Sequence, residues 1–211
     1  MKNMFITSIT TIVFCLNTPV FAAEQNRQVE SFSSIKTQGA LDVRVEVGKA
    51  QAISIKGEDR FISKVITRVF GDELIISLKN EKNSEHMSND LIVTVMVPEL
   101  KKFTMEGAGK TNIKDINAER FELNYEGVGY LELKGSANVF KLHAKGVGMV
   151  NAKKLKADYV DANVEGIGAV EVYAKDKLKV SVQGIGSLTY YGNPRSVSKS
   201  TEGLGSVKAG E

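Results

Sequence analysis

Cysteine, tryptophan and histidine are almost missing from this chain of 211 residues, and each scarcity closes off a class of function. There is one cysteine, Cys15, there is no tryptophan, and only two histidines and three prolines occur. A lone thiol makes neither an internal disulfide nor a Cys-ligated metal site. His86 and His143 stand far apart, with no His-x-x-x-His or Cys/His spacing that would hold zinc. The serines lack a nucleophile-elbow context, and no Ser-His-Asp grouping can be drawn from the linear order. Charge of one sign is lacking too. The 28 Lys and Arg against 25 Asp and Glu give a net charge of +3, and they are scattered instead of blocked, which argues against nucleic acid as a partner. The expectation is a protein with no catalytic residue, no cofactor and no metal.

Long hydrophobic runs are also scarce, and the single one is N-terminal. MKNMFITSITTIVFCLNTPVFA has a short positive start at Lys2, an apolar stretch over 4–16, and Val20-Phe21-Ala22 before Ala23. This is the layout of a cleavable secretory signal. The apolar part is too short and too rich in Thr and Ser for a comfortable membrane span, which needs about 20 apolar residues. Phe14 before Cys15 is too large for a lipidation site. Cleavage after Ala22 leaves a mature chain over 23–211, free of cysteine and with no transmembrane segment. The predicted location is outside the cytoplasm, in the periplasm before the cell surface or the medium.

What is present is glycine at a regular interval. Gly-x-Gly occurs at Gly107/Gly109, Gly127/Gly129, Gly146/Gly148, Gly166/Gly168, Gly184/Gly186 and Gly203/Gly205, with starts 20, 19, 20, 18 and 19 residues apart. Apolar and polar residues alternate on both sides of each pair, as in Phe121, Leu123, Tyr125 and then Leu131, Leu133. Period two is the mark of a strand with one buried face. From Tyr125 the apolar positions run to Val128 and then Leu131, a jump from two to three. If the chain bends at both glycines, all of these residues stay inside. The expectation is therefore an all-β, parallel β-solenoid of about 19–20 residues per coil. The twelve glycines would be its corners, where positive φ is open to them. Ala108, Val128, Val147, Ile167, Ile185 and Leu204 would form an interior apolar ladder.

Residues 28–103 are strand-rich but less regular, with alternation over 41–47, 52–55, 65–70, 74–78 and 91–97. Gly71-Asp72 has the look of a tight hairpin, and Pro98 ends a strand. No linker separates this half from the repeats at 104–211, so one domain is expected, the irregular half capping the coils.

The recurrent Glu-Gly-Val-Gly and Glu-Gly-Ile-Gly units, preceded by the strand before Pro98, resemble the bacterial head-GIN-domain family, labelled auto-transporter adhesins. The likeness covers residues 32–206. It implies a β-solenoid outside the cytoplasm, with no established catalytic residues. The membrane barrel of a true autotransporter does not follow the repeats in this sequence.

Several sharper readings compete with a plain surface. Glu106 and Glu126 could bind a cation, although the acidic calcium-repeat pattern is missing. Asp115, Asp158, Asp161 and Asp176 with Lys153, Lys154 and Lys156 have the residue types of a polysaccharide-cleaving site. Tyr125 and Tyr190 fall at inward positions, whereas Tyr130, Tyr173 and Tyr191 face out, where tyrosines stack on sugars. The expected function is binding or adhesion to an envelope or surface glycan or protein, with Tyr130 and Tyr173 as candidate contacts. The alternatives are an envelope structural factor, self-associating through the C-terminal rung, and a polysaccharide-active enzyme.

Overall fold

The computed structural model describes residues 23–79 and 91–211. The segment predicted to be a signal, His86 and the polar run after Lys79 lie outside the described residues. Alternating burial organises the rest into eleven strands and one helical turn. The N-terminal part holds β1 (Ala23–Arg27), β2 (Ser34–Ala40), β3 (Asp42–Val47) and β4 (Ala52–Gly57). Helix α1 (Asp59–Ile62), β5 (Val65–Phe70), β6 (Glu73–Leu78) and β7 (Ile92–Val97) follow. The C-terminal part holds β8 (Lys102–Gly184), β9 (Ser187–Tyr191), β10 (Ser196–Gly203) and β11 (Ser206–Ala209). The hairpin at Gly71-Asp72 is present, with Phe70 opposite Glu73, and β7 stops just before Pro98, which has no N–H for a ladder.

The expectation of a regular parallel β-solenoid is overturned. The strands form one mixed sheet, in which β1 pairs antiparallel with β4, β4 with β7 and β5 with β6. The β2–β8, β3–β7 and β8–β9 pairs are parallel. Continuous β8 has 83 residues and would run about 270 Å if straight, so it bends back repeatedly beside itself. The sheet thereby curls round a single apolar core and nearly closes into a barrel. Alternation reports which face of a strand is buried; it carries no information on the direction of the neighbour.

The interior ladder is a second correction. Val128, Val147, Ile167, Ile185 and Leu204 are exposed, Leu204 at 84%, and Ala108 is half-buried. The alternation in fact runs unbroken through the glycine pairs. Leu123, Tyr125, Leu131 and Leu133 are buried, and Gly127 and Gly129 fill the two inward positions between them. Val128 is thus placed outward. The jump from two to three is a gap left by glycines that have no side chain to count. Phase slips occur elsewhere, as between buried Ala152 and Leu155 and between Ala157 and Val160.

The corner role given to the glycines changes with it. The first four pairs, from Gly107/Gly109 to Gly166/Gly168, lie inside continuous β8. Only the last two pairs interrupt the ladder: β8 ends at Gly184 and β9 starts at Ser187, while β10 ends at Gly203 and β11 starts at Ser206. Gly186 and Gly205 therefore fall between strands, yet neither has the positive φ expected of it. Close packing is what requires glycine there. A Cβ on Gly186 would lie 3.2 Å from Cγ1 of buried Val164, and one on Gly205 would lie 2.6 Å from Cγ1 of buried Val182.

Tyr125 fills the space that the glycines leave. It is 2% exposed, and its hydroxyl donates towards the carbonyl oxygens of Gly129 (3.2 Å) and Val147 (3.0 Å). Burial pushes its phenol pKa up, opposed by the bond to Gly129. In the same core, Phe121 and Phe140 stack with centroids 6.0 Å apart and planes at 16°.

Candidate functional site

Each passage of β8 after a glycine pair sends alternate residues inward to the core and outward to solvent, and parallel register puts equivalent outward residues side by side. Gly129 lies against Gly109, Gly148 against Gly129 and Gly168 against Gly148. Counting five residues on from Gly109, Gly129, Gly148 and Gly168 gives an outward line of Lys114, Lys134, Lys153 and Tyr173, bounded by Glu46 and Tyr191. Successive members are about 4.8 Å apart. A second line beside it holds Asn112, Glu132, Asn151 and Glu171, with Arg44 and Thr189 at its ends.

The two lines are tied together by polar contacts. Glu132 accepts from Lys134 (3.1 Å), Lys154 (3.4 Å) and the Asn112 amide (2.9 Å). Partial burial works against ionisation of Glu132, but the Lys134 and Lys154 ammonium groups prevail and hold its pKa below the ordinary carboxylate value. Lys114 lies 2.8 Å from Glu46, and that hydrogen bond raises the lysine pKa. The Tyr191 hydroxyl donates to Glu171 at 3.2 Å. Lys153 sits 3.7 Å from the Tyr191 ring centroid and Lys156 sits 3.5 Å from that of Tyr173, within cation–π range. At the other end of the face, Arg44, Glu46, Ile92, Lys110, Asn112 and Lys114 line a concavity of about 480 Å³.

The predicted tyrosines separate. Tyr173 is the direct register partner of Tyr191, while Tyr130 falls beside Met149 and Ala169 on another line, with the Lys110 ammonium 5.9 Å from its ring. Tyr191 was legible as an outward residue but not as the neighbour of Tyr173. The signal was its place 18 residues on, the same interval that separates Gly166 from Gly184. Three of the proposed carboxylates are engaged by cations: Asp158 pairs with Lys175 (3.4 Å), Asp161 with Lys179 (3.7 Å) and Asp176 with Arg195 (2.5 Å). Glu106 is met by Lys36 at 2.6 Å, and among the described residues no group of three or more His, Asp or Glu is placed to hold a metal. His143 is exposed between buried Leu142 and Ala144. None of the described helices is long and apolar enough to cross a membrane.

The fold is shared with solved structures. A crystal structure described as a putative adhesin from Bacteroides fragilis superposes with a TM-score of 0.73 at 23% identity, covering 90% of this chain and 97% of that one. A putative adhesin from Parabacteroides distasonis gives 0.52 at 18% identity, over 90% and 97%. A putative lipid binding protein from the same organism gives 0.51 at 20% identity, over 92% and 98%. Among curated proteins nothing matches. The family model described as putative auto-transporter adhesin, head GIN domain, matches residues 31–194. Since that match spans most of the sequence, the chain belongs to the head GIN domain family of putative auto-transporter adhesins.

Proposed function

We propose that this protein is an exported, non-enzymatic, adhesin-like binding protein whose outer β8–β9 face holds an extended envelope or surface polymer. The observation that carries the reading is the Tyr173–Tyr191 pair with Lys153 and Lys156 over its rings. The two neighbouring rings, with ammonium groups seated on them, form a joint aromatic and cationic edge along which a polymer can lie, and the adjoining Asn, Glu and Thr line offers hydrogen-bonding groups. A polymer lying across successive passes meets an equivalent set of groups at each step. Replacing Tyr173 and Tyr191 together by Ala abolishes retention on immobilised envelope polysaccharide while the melting temperature stays within a few degrees. Unchanged retention sinks this face as the site. Tyr130→Ala is the internal control, since Tyr130 lies on another line. Cell fractionation with protease shaving of intact cells tests export: the mature protein is recovered from the periplasm or surface, and recovery from the cytoplasm contradicts the reading.

The outward row of Val128, Val147, Ile167, Ile185 and Leu204 favours a second reading, contact with acyl chains. A structural neighbour is described as a putative lipid binding protein. Flotation with neutral liposomes discriminates, because only the lipid reading expects the protein to rise with them.

A further inference from the structure

We infer that the line from Lys114 through Lys134 and Lys153 to Tyr173 and Tyr191 is a track for an anionic polysaccharide, one bearing carboxylate or sulfate groups. The inference rests on the outer face being the binding face and adds the chemistry of its ligand. The argument comes from how the two outer faces handle charge. On one line of the face before the glycines, Glu122, Lys141, Asp161 and Lys179 follow one another in register, so that each charge on that line meets its opposite, with Lys179 3.7 Å from Asp161. On the line beside it Glu106 neighbours Glu126, with Lys36 offsetting the charge at Glu106. The alternating line is the arrangement expected of a merely solvated surface, because stacked like charges repel. On the track, three lysines stack directly instead.

Neighbouring carboxylates only partly relieve that repulsion. Glu132 divides itself between Lys134, Lys154 and Asn112. Lys153 and Lys156 lie over tyrosine rings and, among the described residues, pair with no carboxylate. The rings hold these ammonium groups in place while leaving their remaining N–H donors to solvent. The concavity at the other end adds Arg44 and Lys110, together with Asp42, whose carboxylate accepts from the Lys110 backbone N–H at 2.7 Å. A polymer crossing the passes thus meets three lysines in succession about 4.8 Å apart, with interleaved Asn112 and Asn151 for hydroxyl groups. Glu46, Glu132 and Glu171 beside the lysines disfavour nucleic acid, whose phosphates recur at every nucleotide. They are compatible with sugars charged at intervals.

The test measures binding of the full chain to polygalacturonate, chondroitin sulfate, neutral dextran and poly(dT) at two salt concentrations. An acidic polysaccharide binds, and raised salt weakens it. Combining Lys134→Gln, Lys153→Gln and Lys156→Gln loses about tenfold in affinity. Glu132→Gln strengthens binding, since it frees Lys134 and Lys154 yet keeps an acceptor for Asn112; a gain cannot be attributed to misfolding. Binding to dextran that ignores the lysine changes overturns the anionic track but leaves the outer face standing as a glycan site. Equal affinity for poly(dT) overturns the polysaccharide assignment. Failure to bind any of the four overturns the track and counts against the function proposed above.

Discussion

Gly148 adopts φ 144°, a conformation that L side chains avoid, and a Cβ there would fall on the carbonyl oxygen of Gly129 and 2.7 Å from the Tyr125 hydroxyl. Gly148→Val therefore costs about 3 kcal/mol or more, whereas Ile167→Thr, at an outward position 56% exposed, stays within about 0.5 kcal/mol. Thermal or urea unfolding of the two variants checks both, and the opposite ranking would restore the interior ladder. Glu106 supplies a residue-scale pH effect. Its hydrogen bond to Lys36 outweighs partial burial, and with help from Gln38 lowers its pKa below the ordinary value. A lowered carboxylate pKa stabilises the fold above the unfolded-state value, and that contribution disappears as pH falls through the folded-state value. Lys36→Gln is accordingly destabilising at neutral pH, by less than about 1 kcal/mol for so exposed a pair, and silent once Glu106 is protonated. Stability measured across that range reports the difference.

Strands differ in how firmly they are held. Passes of β8 have neighbours on both sides, while β10 pairs only with β8 and all eight of its residues are exposed. Amide exchange should release β10 first and the β8 segments around Phe121 and Phe140 last; equal protection would mean that β10 has a further partner in solution. Much of this element structure was legible. The five alternating stretches before Pro98 coincide with β3 to β7, and Tyr125 and Tyr190 do face inward. Two things were not. Pairing direction leaves no trace in alternation, so antiparallel β1, β4 and β5 were hidden. Glycine is silent in a pattern read from apolar side chains, so Val128 was assigned to the wrong side. For the same reason Gly186 and Gly205, held to glycine by the valines beneath them, could not be told from left-handed corners. At the site, the outward phase of Tyr173 and Tyr191 was readable, but their adjacency and the lysine line needed the register between passes.

At the scale of the whole molecule, the last passage addresses an edge problem. Lys199 stands in register with Val180 and Thr201 with Val182, both buried positions one pass earlier. The Lys199 ammonium lies 4.7 Å from the Tyr190 ring. An inward-phase charge on an open strand discourages pairing with a second copy. Combining Lys199→Val with Thr201→Val should produce concentration-dependent association by sedimentation, where the unaltered chain sediments as a monomer; association of the unaltered chain would show that the charge gives no protection.

The central claim, that the outer β8–β9 face carries the ligand, is tested most directly by lysine acetylation footprinting with and without bound polysaccharide, read by mass spectrometry. The account predicts protection of Lys134, Lys153 and Lys156, with Lys141, Lys145 and Lys179 on the face before the glycines labelled as fast as in the free protein. Protection of that second group alone, or uniform labelling despite demonstrated binding, would contradict it.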